Sequence, residues 1–262
     1  MSEDVLNPVS IERRDAIALV SMDNAKTRNA LSPEMLQGLA TAFETLMQER
    51  ECRAIVLTGA NSTFCSGGDV SRMEKDRPIL VTRAYIGLAH RIVRAMVNGP
   101  KPVVAAVEGA AIGAGMSLAA ASDFVVSSSK ARFCAAFAKV GLAPDTGLYW
   151  SLQQRVGIAR AKQLIMTAKL IDCTEAASLG LVDQVCDEGK ALEQAIQLAT
   201  ELAEAAPLSV AVTKAVYADG VLTLEEAFRA ERDHHPYLVR SEDHLSAVAA
   251  FKEKKKAVFS GN

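Results

Sequence analysis

Two glycine turns are the first places in this chain where chemistry is expected: Ser66-Gly67-Gly68-Asp69 and Gly113-Ala114-Gly115. Each follows an apolar, strand-like run, 54–58 before the first and 103–107 before the second. Glycine leaves the backbone uncovered, so such a turn can present N–H groups that no side chain obstructs. The second turn opens into an Ala-rich stretch that ends at Asp123 and reads as a closely packed helix. The first N–H groups of a helix have no intrahelical acceptor and sit at the positive end of its dipole. Two such donors aimed at one point make an oxyanion hole. Taken singly, either turn is read equally well as a plain strand-to-helix connection. By residue type alone, Pro144-Asp145-Thr146-Gly147 is a turn whose aspartate caps a helix starting at Leu148. His90 lies in a run of helical periodicity, 79–97, where a histidine is either structural, solvent-facing or a base.

The elements that must position these residues alternate. Strands are expected at 17–22, 54–58, 103–107, 124–127 and 181–185. Ser32-Pro33 starts a helix whose Met35, Leu36, Leu39, Phe43, Leu46 and Met47 form a core-facing stripe. After 103–107 the chain is expected to loosen into turn until the helix begins. Residues 131–143 read as a mixed connection, followed by helices at 148–156 and 158–168 broken at Gly157. Asp172 caps a short helix that stops at Gly180. From 191 onward only helices are expected: 191–205, 207–218, 224–233 (with His234-His235 beside Pro236 as a helix end) and 242–258. The order is α/β to about residue 185, then all-helical.

Composition excludes several classes. Half the residues are hydrophobic, 23% are charged and the net charge is −2, so there is no electrostatic case for nucleic acid or a membrane surface. The five scattered cysteines contain no CxxC pair, and His234, His235 and His244 sit in the helical tail, so no metal is expected. The polar start MSEDVLNPVS is unlike a targeting peptide, and the end Ser260-Gly261-Asn262 is not a peroxisomal address. No apolar run is long enough to span a bilayer. A cytoplasmic protein with reduced thiols is the expectation.

Taken together and in this order, the motifs carry a resemblance. Arg28-Asn29-Ala30-Leu31, the runs 64–69 (FCSGGD), 101–109 (KPVVAAVEG) with Gly113-Ala114-Gly115, 131–133 (ARF), 140–147 (VGLAPDTG), 175–183 (EAASLGLVD) and 251–259 (FKEKKKAVF) resemble the crotonase superfamily, the enoyl-CoA hydratase/isomerase family, over nearly the whole chain. The resemblance implies an α/β fold, a crotonase-like spiral of ββα units with a C-terminal all-helical region. It implies a spiral core over 1–200 holding an acyl-CoA site, and a helical oligomerisation region over 201–262 that builds a homotrimer or a dimer of trimers. It further implies an acyl-CoA thioester as substrate, with coenzyme A the only cofactor, and a role in fatty acid metabolism.

By motif position, the oxyanion donors are the backbone N–H groups of Gly68 and Ala114. A hydratase of this kind activates water with two glutamates; this chain has Ser117 and Phe137 in their places, which reads as pocket lining. Asp145 stands where several isomerases of the family, including the ring-1,2-epoxyphenylacetyl-CoA type, hold a carboxylate that moves a proton between C2 and C4. One carboxylate suffices for such a transfer, since it can return the proton it takes. His90 matches the histidine of the family's 4-chlorobenzoyl-CoA dehalogenases, which pair it with an aspartate nucleophile at the Asp145 position. Against that, Phe137 and Gly68 replace the tryptophan and phenylalanine of those enzymes. Arg28, more loosely Lys26, and Lys254 or Lys255 are implied near the CoA phosphates. The backbone at Ala30, Ser66 and Asp69 is implied along pantetheine and adenine. The segment 70–79 and the helix after it are expected to wall the acyl pocket. A binding module that has lost chemistry is the remaining class.

Overall fold

The computed structural model describes residues 7–72, 77–220 and 223–262. It opens with β1 (Val9–Arg14) and β2 (Ile17–Met22), an antiparallel pair in register from Val9↔Met22 to Arg14↔Ile17. Ser32 caps α1 (Pro33–Gln48), accepting from the Met35 N–H at 3.2 Å, and Pro33 fills a position that needs no donor. Met35, Leu36, Leu39, Phe43 and Leu46 are buried on one face of α1, and Met47 packs at its edge. Then follow β3 (Ala54–Gly59), α2 (Ile79–Asn98) and β4 (Val103–Val107).

The segment after β4 is more ordered than its sequence suggests. Ala110–Ile112 forms β5 before α3 (Ala114–Ala121) begins. The cause is non-local: the Cys65 N–H donates to Ala110 at 2.9 Å, and the Ile112 N–H donates back to Cys65 at 3.0 Å. Three residues with no alternation of their own become a strand because residues 132–134 pair with them in parallel and the first glycine loop bridges to them at Cys65. A buried strand followed by a short one recurs in β6 (Phe124–Ser128) and β7 (Arg132–Cys134). A 3₁₀ turn, Ala136–Val140, then leads to α4 (Leu148–Val156) and α5 (Ile158–Thr167). The chain continues through β8 (Ile171–Asp172), α6 (Cys173–Ser178), β9 (Gln184–Cys186) and α7 (Ala191–Ala203), and ends in α8 (Pro207–Ala218), α9 (Leu224–Leu238) and α10 (Glu242–Lys252).

The large sheet has the order β1-β2-β3-β4-β6-β9 and is parallel from β2 onward. The small sheet has the order β5-β7-β8. The chain passes repeatedly from the large sheet to the small one and returns, which is the expected spiral of ββα units. Strands β3 and β4 are buried on both faces, which is why they read as unbroken apolar runs. On one face Ala195, Ala199 and Ala203 of α7 pack against Val56, Val104 and Ala106; on the other lies the larger core around Phe43, Phe64 and Phe133. Glu108 fixes the start of α7 by accepting from the Ala191 N–H at 3.0 Å.

Three boundaries differ from expectation. Strand β9 starts at Gln184, because Leu181 and Val182 are buried where the chain leaves α6, with both N–H groups bonded back to the Ala176 carbonyl. Helix α9 continues through Pro236 to Leu238; near a helix end the missing proline donor costs little. Helix α10 stops at Lys252, because the tail turns back on it. Asp243 in the first turn of α10 accepts from Ser260 at 2.6 Å and from Gly261 at 2.9 Å, and Arg50 holds the Asn262 side chain at 2.7 Å.

Helix α8 is tied to the core by a buried ion pair. Lys214 meets the Asp123 carboxylate and donates to the Lys101 carbonyl at 2.8 Å; its side chain is 6% exposed. Replacing Lys214 by Met leaves Asp123 without its cation. We expect a loss of about 3 kcal/mol, read as a lower urea midpoint at unchanged slope. An unchanged midpoint would show that the pair is dispensable.

Candidate active site

The small sheet sets the two glycine turns side by side. Cys65 bridges to Ala111 and Gly68 bridges to Leu31, while the Ser66 N–H donates to Arg28 at 3.0 Å. Gly67 has φ +100, and a Cβ on it would stand 2.8 Å from the Ile112 oxygen and 3.7 Å from the Ala114 nitrogen. A side chain at Gly67 would therefore push the loops apart; at Gly113 a Cβ would meet only the Gly67 Cα at 3.8 Å, an ordinary contact, and it is the positive φ of 54 that favours glycine there. Ala114 is the first residue of α3, so its N–H has no intrahelical acceptor. Among the described residues the Gly68 N–H has no backbone acceptor either. Arg155 neutralises the opposite end of α3, donating to the Ala120, Ser122 and Asp123 carbonyls at 2.7–3.1 Å.

Gly68 and Ala114 open onto a cavity of about 570 Å³ that also holds Asp145, His90 and Asp69. Its side wall is α2, which presents Thr82, Tyr85, Ile86, Ala89 and His90. Those positions advance by three and one along the chain, one face of a helix. Arg77 also lines the cavity and stacks on the Tyr85 ring at 5.2 Å. Of the segment expected to wall the pocket, residues 73–76 lie outside the described residues.

Asp145 does not cap a helix. The N-cap of α4 is Gly147, and Leu148 bonds to the Asp145 main-chain oxygen at 3.1 Å, leaving the carboxylate free to face the cavity. Thr146 and Gly147 both have positive φ, +51 and +75, and this reversal aims Asp145 inward. A β-branched residue in that region costs on the order of 1–3 kcal/mol. Burial pushes the Asp145 carboxyl above its ordinary value; the Thr146 hydroxyl, 3.0 Å from Oδ1, and nearby His90 pull it partly back. Asp69 differs: its Oδ1 accepts from both Ser71 N and Ser71 Oγ, at 3.1 and 2.6 Å.

Ser117 and Phe137 are not on the wall where the sequence reading put them. Ser117 is fully buried in α3, with its hydroxyl within reach of the Asp145 main-chain oxygen at 3.2 Å and the Gly113 oxygen at 3.3 Å. Phe137 packs into the main core. The short Ser117 side chain bonds the main-chain oxygens beside it, while Phe137 is taken up by the apolar core. Arg28, Ala30 and Ser66 lie along the first glycine loop outside the cavity wall. Ser66 Oγ donates to the Thr27 carbonyl at 2.8 Å. Lys254 and Lys255 fall just beyond α10, and nothing brings them to the cavity.

Three contributors escaped the sequence reading. Thr146 left no pattern there. Tyr85 was legible in the helical spacing of α2. Asn29, inside a quoted motif, braces the two loops: fully buried, it donates to the Thr63 carbonyl at 2.7 Å and accepts from Asn24 at 2.8 Å.

A family model described as Enoyl-CoA hydratase/isomerase matches residues 12–262. The chain belongs to the enoyl-CoA hydratase/isomerase family. It is 32% identical over 253 residues to the short-chain-enoyl-CoA hydratase of Clostridium acetobutylicum, covering 96% of this chain and 97% of that one. It is also 32% identical over 253 residues to the 1,2-epoxyphenylacetyl-CoA isomerase of Escherichia coli, covering 94% and 95%. A solved enoyl-CoA hydratase from Polaromonas sp. JS666 superposes with a TM-score of 0.91 at 34% identity, over 96% of this chain and 99% of the other. Family membership and the superposition make the α/β spiral a shared frame. Relatives at the same identity bear hydratase and isomerase names, hydratase more often, and the family by itself does not fix the chemistry. No helix among the described residues is long and apolar enough to cross a membrane, and no cluster of metal-ligating side chains occurs among them.

Proposed function

We propose that this chain moves the double bond of an enoyl-CoA thioester through an enolate, with Asp145 as the proton shuttle. The observation that carries this is the carboxylate inventory of the cavity. Asp145 is half-buried in the cavity that Gly68 and Ala114 line, and burial raises its affinity for a proton; Asp69, on the same wall, accepts from Ser71 N and Oγ, and neither hydratase glutamate position holds a carboxylate. The thioester oxygen takes the N–H groups of Gly68 and Ala114, which stabilise negative charge as the α-proton leaves. Asp145 takes a proton from C2 and returns it at C4, and its raised affinity for protons suits both steps. With no carboxylate at either hydratase glutamate position to activate water, hydration is disfavoured.

Arg28, the backbone at Ala30, Ser66 and Asp69, and a lysine from Lys254 or Lys255 hold the CoA portion. No cofactor is needed beyond the CoA of the substrate. Residues 201–262 form the oligomerisation region of a trimer or dimer of trimers, supported by the exposed Leu224, Phe228, Tyr237, Leu245 and Phe251 on α9 and α10. The protein acts in the cytoplasm, on fatty-acyl thioesters.

Incubation with a 3-enoyl-CoA in D₂O tests the chemistry. Deuterium should enter both C2 and C4, read by mass spectrometry. Tight binding of the ester without exchange would refute the isomerase and leave a binding module. A second reading is favoured by one observation: His90 shares the cavity with Asp145 and acts on its charge. In that case the Asp145 carboxylate displaces chloride from the ring of a 4-chlorobenzoyl-CoA-like substrate to give an aryl ester, and His90 takes a proton from the water that hydrolyses the ester, releasing the hydroxylated ring and the carboxylate. A covalent ester on Asp145, trapped in a single-turnover digest, distinguishes it.

A further inference from the structure

We infer that Thr146 is a positioning residue for the Asp145 carboxylate, holding it toward the space in front of Gly68 and Ala114. This rests on the reading of Asp145 as the proton shuttle. Thr146 is 2% exposed and lines the cavity, and its Oγ1 donates to Asp145 Oδ1 at 3.0 Å. Its backbone carries the strain: φ is +51, a region that glycine or asparagine occupies without penalty and a β-branched residue avoids. Gly147 at φ +75 follows it, so the turn already contains one residue suited to that region. Threonine gains nothing from this backbone; its hydroxyl is what bonds the carboxylate. The bond engages Oδ1 and leaves Oδ2 to exchange the proton. Main chain and side chain are thus held separately, since Ser117 Oγ reaches the Asp145 main-chain oxygen from α3, the helix that begins with the Ala114 donor.

A hydroxyl bonded to the ionised form also lowers the affinity of Asp145 for its proton, against the effect of burial. The other ionisable groups lining the cavity among the described residues are His90 and Tyr85 on α2, Arg77 ahead of it and Asp69 beside the first turn. No substitution below alters them.

The experiment compares Thr146→Val, Thr146→Ser, Thr146→Gly and Asp145→Asn in full-length protein, with a 3-enoyl-CoA as probe. Thr146→Val keeps the shape and loses the bond. Its kcat should fall about tenfold or more, with KM nearly unchanged, and the acid limb of its kcat profile should move to higher pH. Thr146→Ser should restore both rate and limb. Thr146→Gly suits the left-handed backbone, so it folds, and it should show the same loss as valine. If the valine and glycine variants match the wild type in rate and acid limb, Thr146 is structural and the inference is overturned. If Asp145→Asn itself keeps exchange, the shuttle assignment fails instead, and the two failures are told apart.

Discussion

Asp145→Asn is expected to lower kcat for isomerisation by about three orders of magnitude, at the scale of a lost general base. Asparagine keeps the size and the hydrogen-bond acceptor for Thr146 but cannot take a proton. Binding of the thioester should survive, because the donors at Gly68 and Ala114 and the apolar wall of α2 are untouched. The wild-type pH profile should carry the mark of the same group. Burial raises the Asp145 carboxyl above its ordinary value, so activity is lost as pH falls through that raised value, earlier than for an exposed aspartate. Stability runs the other way. The folded state holds this proton more tightly than the unfolded chain, so the wild type gains stability as pH falls through the same window. At neutral pH the ionised, partly desolvated carboxylate is a cost to the fold, and Asp145→Asn should unfold at the same temperature as the wild type or above it. A variant that isomerises at the wild-type rate would exclude Asp145 as the base; one that unfolds early would show that the carboxylate is structural.

The second large effect concerns a backbone atom, and proline reaches it. Ala114 is the first residue of α3, where proline is accepted because the N–H it lacks has no helical partner. Gly113, at φ 54 and ψ −121, lies outside the helical region and has no Cβ, so a following proline is tolerated there as well. Ala114→Pro thus deletes one proposed oxyanion donor while leaving the helix. The expected loss is a factor of about 10²–10³ in kcat, with circular dichroism and unfolding midpoint close to wild type. Exchange of the C2 proton should fall in parallel, since enolate formation is the step served. An Ala114→Pro protein that folds and exchanges C2 normally would show that the thioester oxygen lies elsewhere.

These two variants separate what kind of information the sequence held. The donors were legible because glycine and helix-start chemistry are local: Gly67-Gly68 after one apolar strand and Gly113-Ala114 after another already specify uncovered N–H groups. The spiral was legible for the same reason, through apolar runs that end in turns and a Ser32-Pro33 cap. The side-chain roles were less so. By residue type alone Asp145 read as a helix cap, and only the family resemblance gave it a catalytic role; in the structure the cap position of α4 is held by Gly147. Ser117 and Phe137 read as lining and proved buried away from the cavity. Strand β5 has no pattern of its own and exists because β7 pairs with it in parallel, with Cys65 bridging to Ala111 on its other side. The tail end of α10 was lost to Asp243, which draws residues 260 and 261 back along the helix.

The sequence by itself determined the main parallel strands and the helices between them, the two glycine turns and the absence of a carboxylate at the hydratase positions; the strands at 9–14, 110–112, 132–134 and 171–172 were not legible in it. Periodicity, glycine geometry and residue identity are local properties, and they survive without coordinates. Only the tertiary structure decided that the two turns pack together, that Asp145 shares one cavity with Gly68 and Ala114, and that the Thr146 hydroxyl bonds its carboxylate. Each of those depends on the direction of a side chain. That direction is set by a left-handed turn, a helix packed alongside and a hydrogen bond to a neighbour, and none of these leaves a pattern in the chain.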